Sequence, residues 1–444
     1  MKSEELYSRD EKIIADCMKI RLFPITMKKA YGATITDVDD QEYVDFSANW
    51  AVANTGYSHP KVLDAVNKQM SLSSFASPAS VVTEPTVALA EKLAELAPGS
   101  FEKKVWFGLS GSDANDCVAK LVPLATGRPR LISFFGAYHG QTMGSLSLSG
   151  HTAQAKFIGS GNVVKIPYPY CYRCVFDKTP ESCNFTCLDF LENAVFTSVS
   201  PPEDTGAIIV EAIQCDGGDV PPPDDYMKKL KQICEKYGIY FIVDEVKIGI
   251  GRTGKMFGIE NYDVEPDAII FGKPIASGFP LSGVVGRKNI LDSVVAGHLF
   301  TTGGNPVSAA AGLATLDIIE EEMLMKKAEE MGNYMIERLL EMQKRVALIG
   351  DVRGKGLVIG VELVTDREKR TPGGQETAMV CYQAYKKGLI IFYVGLHSNV
   401  LEITPPLVIS KDEVDHGLNI LEGALTDVQN GKISKEEIAR FAGW

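Results

Sequence analysis

Residues 268–283 read AIIFGKPIASGFPLSG: four apolar residues, Ala268 to Phe271, break into glycine, proline and serine, and Lys273 stands at the break. A short apolar run bounded in this way predicts a strand buried on both faces. An ammonium at its end needs either an exit to solvent along its own methylenes or a chemical reason to stay. The same rhythm continues on both sides of this stretch. KKVWFGLSG, RPRLISFFG, TGAIIVEAI, GIYFIVDEV and LSGVVGR are short β-rich runs, with helical patterns between several of them. One such pattern, DYMKKLKQICEKYG, has apolar spacing near 3.6 and a glycine stop at Gly238. Apolar strands alternating with helices predict an α/β fold whose sheet is mainly parallel and covered on both faces.

The chain of 444 residues is too long for one compact core, so two domains are expected. After residue 305 the pattern changes to a long helical run, Pro306 to about Arg345, followed by GLVIGVELV, KGLIIFYVG and NVLEITPPLVIS. The closing helix, KDEVDHGLNILEGALTDVQ, carries a capping box in Ser410 and Glu413. The expected division is a large domain over 61–305 and a smaller α+β domain over 306–444. Residues 1–60, with ATITDVDDQEYVDF as a hairpin, are expected to pack with the smaller domain.

A net charge of -12 argues against nucleic acid or an anionic membrane as a partner, because both call for a basic face. No apolar stretch of about 18 residues occurs, and the first twenty residues lack the apolar core of a secretory signal. The expectation is a cytoplasmic chain. Four of its nine cysteines, Cys171, Cys174, Cys183 and Cys187, cluster in CYRCVFDKTPESCNFTC. That spacing suits a small zinc or iron–sulfur knuckle, and equally a reduced, cysteine-rich surface insertion. No further ligand supports a metal, and none is assigned.

Ligands of an open parallel sheet gather at the carboxyl ends of its strands, and three polar features fall at such ends here. GLSGSDANDCVAKL opens a helix after a strand, so Ser110, Gly111 and Ser112 would set N–H groups and a hydroxyl where a phosphate can sit. The same residues also cap helices with nothing bound. IYFIVDEVKIG ends in Asp244 and Glu245, and a buried carboxylate needs a partner. Lys273 ends the next strand. Phosphate seat, aspartate and lysine together describe pyridoxal 5'-phosphate (PLP) chemistry. This cofactor needs a lysine for its Schiff base, an acid on its ring nitrogen and a phosphate cup. Tyr138, in GAYHGQTMGS, is a candidate to stack on the ring.

At these residues the chain resembles the class III aminotransferase family of fold-type I PLP enzymes, across nearly its whole length. The matching segments, in order, are SGSDAN, FFGAYHGQTMGSLSLSG, DEVKIGIGRTGK, FGKPIASGFPLSGVVG and TTGGNP. The resemblance implies Lys273 as the Schiff-base lysine, Asp244 on the pyridine nitrogen, Gly111 and Ser112 on the phosphate, and Tyr138 on the ring. It places Trp50, in SANWAVAN, as a lid over a small amine substrate. Thr301, or Thr302 beside it, would reach the phosphate of the other subunit in a homodimer with its active sites at the interface.

Three positions depart from the common family pattern. QCDGG stands for QGEGG, so Asp216 replaces a glutamate. DEVKIG stands for DEVQTG, so Lys247 replaces a glutamine near the cofactor's phenolic oxygen. NVLEITPPL puts Glu402 where the family often carries an arginine that clamps a substrate carboxylate. With GDVRGKGL, YVGLHSNVLE and EEIARFAGW, these departures are similar to one subgroup, the α-amino-ε-caprolactam racemases. That resemblance implies a racemase of α-amino lactams or amino acid amides, in which Lys273 and Asp216 serve opposite faces of the substrate Cα. A class III aminotransferase and a free amino-acid racemase are the alternatives, and an idle PLP-fold binding protein is a third. Plainer readings also stand: Asp216 as a turn acid, Lys247 as a partner for Glu245 or Asp244, Trp50 as core, and Glu402 turned away from the site.

Overall fold

The computed structural model describes residues 2–152 and 161–441. It divides into two units, Pro60–Met325 and the pairing of Met1–His59 with Lys326–Trp444. The second division falls at Met325 rather than at residue 305, for a local reason. The long helical run is two helices, Pro306–Glu321 and Leu324–Arg345, parted by Met323 in the left-handed region at φ 52. No glycine or proline marks that break. Helix Pro306–Glu321 packs against Pro60–Leu72 and Glu84–Leu96, and so belongs with the larger unit.

The sheet of the larger unit has seven strands. They are β1 (Lys103–Gly108), β2 (Arg130–Phe134), β3 (Val163–Ile166), β4 (Thr205–Glu211), β5 (Tyr240–Asp244), β6 (Ala268–Phe271) and β7 (Ser282–Arg287). Their order is β1-β7-β6-β5-β4-β2-β3. Neighbours are parallel except at β7, which runs antiparallel to both β1 and β6. Every residue of β4 and β6 is buried, which is why β6 and the middle of β4 read as apolar runs. Helix α1 (Gly111–Thr126) sets Val118, Leu121 and Val122 against Ile209, Ile242, Ile270 and Val284 of the sheet. The carboxyl ends of β4, β5 and β6 therefore open at one edge, beside the start of β7. Helix Tyr226–Tyr237 ends as expected on Gly238, at φ 63.

In the smaller unit Thr34–Thr36 and Glu42–Asp45 form an antiparallel pair, with Leu389–Ile390 added parallel to the second strand. A further sheet of five strands includes Val358–Asp366, Phe392–Val394 and Val400–Ile403. Helix Lys411–Gln429 starts on the capping box of Ser410 and Glu413. Among the described residues no helix is long and apolar enough to cross a membrane.

Candidate active site

Asp244 closes β5, paired with Glu211 of β4 on one side and Ile270 of β6 on the other. Its carboxylate is 4% exposed and held from three directions. Asn115 Nδ2 of α1 donates to Oδ2 at 2.9 Å, His139 Nδ1 lies 2.7 Å from the same oxygen, and the Val246 amide donates to Oδ1 at 3.0 Å. The adjacent Glu245 has a different task. It accepts from the amides of Gly258 and Ile259, both at 2.7 Å, and so anchors the turn Gly258–Tyr262. Burial pushes its carboxyl up to about 8.

The start of α1 is built around Ser110 and Asp113. Each side chain bonds the other's amide, and Asp113 also accepts from Ser282 Oγ at the start of β7, at 2.9 Å. The amides of Gly111 and Ser112 lie in the first turn, where the helix supplies no carbonyl. The loop carrying Tyr138 and His139 is stapled to this turn, because Gln141 donates its amide to Ser112 Oγ at 3.1 Å. Gly140 makes the approach possible. Its φ is 124, and a Cβ there would lie 2.4 Å from Ser112 Oγ.

Lys273 stands two residues after Phe271, the last residue of β6, and is half-buried, with φ 36. A left-handed backbone costs an L-residue about 1–2 kcal/mol, and such strain concentrates at functional positions. The end of β6 lies against the start of α1 and Val246, and Gly111 makes room there, since a Cβ on it would lie 2.6 Å from the Val246 side chain.

Asp216 and Lys247 form a buried ion pair, Nζ to Oδ1 at 3.4 Å. The lysine thus has a partner that the plainer reading, Glu245 or Asp244, did not name. Tyr138 belongs to the same neighbourhood: burial first, then the charge of Asp216, raise its hydroxyl above the ordinary tyrosine range. Glu211 adds a third acid. Burial, then Asp244 and Asp216, push its carboxyl well above the usual range, which favours the neutral form.

Thr301 and Thr302 are exposed, in a turn of the larger unit. Trp50 and Glu402 belong to the smaller unit. Trp50 lies tilted against Phe392, ring centroids 4.6 Å apart, in a run of left-handed residues from Ala48 to Ala51. Glu402 is fully buried in its strand, opposite Gly360 and Phe392. Among the described residues no three His, Cys, Asp or Glu side chains could hold a metal ion. The spacing of Cys171, Cys174, Cys183 and Cys187 does not close into a ligand set; these thiols line an apolar cavity of about 310 Å³ instead.

Asn115, His139 and Glu211 were not singled out from the sequence. Asn115 stands in SGSDAN as a polar residue on the buried face of a helix, between Ala114 and Cys117, and that was a usable signal. His139 and Glu211 are recognisable only through their closeness to Asp244. Chemically the residues fit PLP: a held carboxylate for a ring nitrogen, first-turn amides for a phosphate, and a half-buried lysine for an aldehyde. Gly111 keeps open the space between strand end and helix, where a side chain would collide with Val246.

A family model described as aminotransferase class-III matches residues 18–425. The alanine/serine racemase of Pyrococcus horikoshii is 43% identical over 98% of this chain and 93% of its own. The leucine/methionine racemase of Thermococcus litoralis is 42% identical over the whole of both chains. Among solved structures, a PLP-bound amine transaminase from an uncultivated Pseudomonas species superposes with a TM-score of 0.84. It is 29% identical and covers 91% of this chain and 95% of its own.

Proposed function

Since the chain belongs to the class III aminotransferase family, with its fold-type I architecture and PLP cofactor, we propose that it is a racemase acting at the Cα of neutral α-amino acids. The observation that carries this reading is Asp216, a buried carboxylate grouped with Tyr138 and Lys247 as a second acid/base candidate besides Lys273. Likeness to two amino-acid racemases over almost the full chain supports it. When bound, PLP supplies an electron sink that acidifies the Cα–H of an attached amine. The chain's residues do the rest. Asp244, fixed by His139 and Asn115, keeps the ring nitrogen protonated. The Gly111 and Ser112 amides hold the phosphate, and Tyr138 packs on the ring. Lys273 takes or gives the Cα proton on one face and Asp216 on the other.

A second reading keeps the racemase and changes the substrate to lactams or amides. It rests on the sequence alone: Glu402 stands where the family often carries an arginine that clamps a substrate carboxylate. A homodimer is proposed from an exposed apolar face on the larger unit. There Val81, Val82, Val294, Val295, Leu299 and Phe300 border a cavity of about 590 Å³, beside Thr301.

The deciding experiment incubates the holoenzyme in deuterium oxide with single enantiomers of alanine, leucine and methionine, their amides and a lactam. The antipode, carrying deuterium at Cα with no oxo acid formed, is the expected product. Turnover that requires an oxo-acid acceptor would make the protein an aminotransferase instead. Equal kcat/KM for an acid and its amide would remove the case for Glu402.

A further inference from the structure

Lys247 and Asp216 meet inside the protein with side chains only 7% and 9% exposed. The group around them is rich in acids. Glu211 approaches from the end of β4, where it pairs with Asp244, and the Tyr138 hydroxyl from the loop before Gly140. A neutral amide at position 247 would take away the ammonium that faces the buried Asp216 carboxylate. The Asp216 backbone is already fixed, in a turn where the amides of Gly218 and Asp219 both donate to the Cys215 carbonyl. What stays free is the rotation of its short side chain, and an ammonium 3.4 Å from Oδ1 removes that freedom.

We propose that Lys247 is a positioning residue for Asp216, holding its carboxylate where it exchanges a proton with the substrate face turned away from Lys273. This rests on the racemase reading above. The step balances simply. As the Cα–H bond breaks, its proton passes to the Asp216 carboxylate. The electron pair left at Cα then forms the new C–H bond on the other face with a proton given by Lys273, and the reverse reaction exchanges the two roles. Lys247 keeps its own protons throughout.

The test compares Lys247→Gln and Lys247→Arg with Asp216→Asn in the holoenzyme, following deuterium wash-in at Cα from each enantiomer separately. In Lys247→Gln, racemisation should fall at least tenfold in both directions with KM little changed. The enantiomer whose proton Lys273 removes should still exchange that proton with retention, and its antipode should not. Lys247→Arg, which keeps the cation, should recover most of the loss. In the apoprotein, thermal unfolding of Lys247→Gln, Asp216→Asn and the double variant should be non-additive, a coupling that needs no cofactor. If Lys247→Gln does not fold, Lys247→Met replaces it with the same readings.

Wild-type racemisation rates in Lys247→Gln, or an additive cycle, would overturn the proposal. So would equal loss of exchange from both enantiomers, which would place the lysine's action on the cofactor. Failure of the wild-type enzyme to form any antipode would instead remove the racemase reading itself.

Discussion

His139 Nδ1 lies 2.7 Å from Asp244 Oδ2, and the two side chains are 0% and 4% exposed. Asn115 donates to the same oxygen, so the carboxylate cannot turn without breaking two buried bonds. Asp244→Asn should bind PLP and stay coloured yet lose at least about 100-fold in kcat, because the ring nitrogen loses the anion that keeps it charged. His139→Asn removes a charge-assisted bond of about 1.5–3 kcal/mol and should cost roughly 10- to 100-fold in kcat/KM. Normal turnover in Asp244→Asn would take this residue out of the cofactor site.

Lys273 carries a prediction about stability as well as chemistry. Lys273→Ala should abolish both activity and the visible absorbance of the cofactor-bound protein. Lys273→Gly should do the same but unfold at higher temperature than Lys273→Ala, by about 1 kcal/mol, since only glycine relaxes at φ 36. Melting curves of the two apoproteins decide it, and equal stability would mean the left-handed backbone carries no strain.

Gly140→Ala should weaken PLP binding at least tenfold. The new methyl would collide with Ser112 Oγ while its backbone stands at φ 124, so the loop must lift from the start of α1. The accompanying loss of stability should be about 1–3 kcal/mol. Equilibrium dialysis of PLP against the apoprotein measures the first effect and denaturant unfolding the second.

Glu245 makes stability depend on pH with a definite sign. Its carboxyl stands at about 8 in the folded protein against 4.5 for an ordinary glutamate, so between these values the folded state holds a proton that the unfolded state has released. The favourable contribution is full below pH 4.5 and is lost progressively up to about 8, with a slope of at most ~1.4 kcal/mol per pH unit. Glu245→Gln should be less stable at low pH, having lost an acceptor for Gly258 or Ile259, and should show a flatter decline across that window. Denaturant unfolding of the apoprotein from pH 5 to 8 measures the difference in slope; parallel curves would show that Glu245 titrates normally.

The strands and their chemistry were legible because burial writes itself into sequence. The middle of β4 and the whole of β6 are buried and apolar, and Ser110, Asp244 and Lys273 stand out where β1, β5 and β6 stop. Edge strand β3 was not foreseen, since Val163–Ile166 is short and largely half-buried. The break at Met323 was equally hidden, for nothing in its side chain demands a left-handed backbone. The partners of the charged groups were harder still. Asn115, His139 and Asp244 lie on a helix, a loop and a strand, and Lys247 reaches Asp216 across 31 positions of chain. Such pairs are fixed by the register of β4 beside β5, which no local pattern encodes.

The reversed direction of β7 constrains how the lysine can move. Gly283 pairs with Phe271, and Ser282 is bonded to Asp113, so the segment that begins with Lys273 returns to the edge it left. A crossover to a parallel strand would have carried the chain to the far side of the sheet and given it slack. Here the segment is clamped at both ends, like a short span between two piers. Its backbone has no room to drift, so the travel of the lysine's amine is limited to rotation about its own four methylenes.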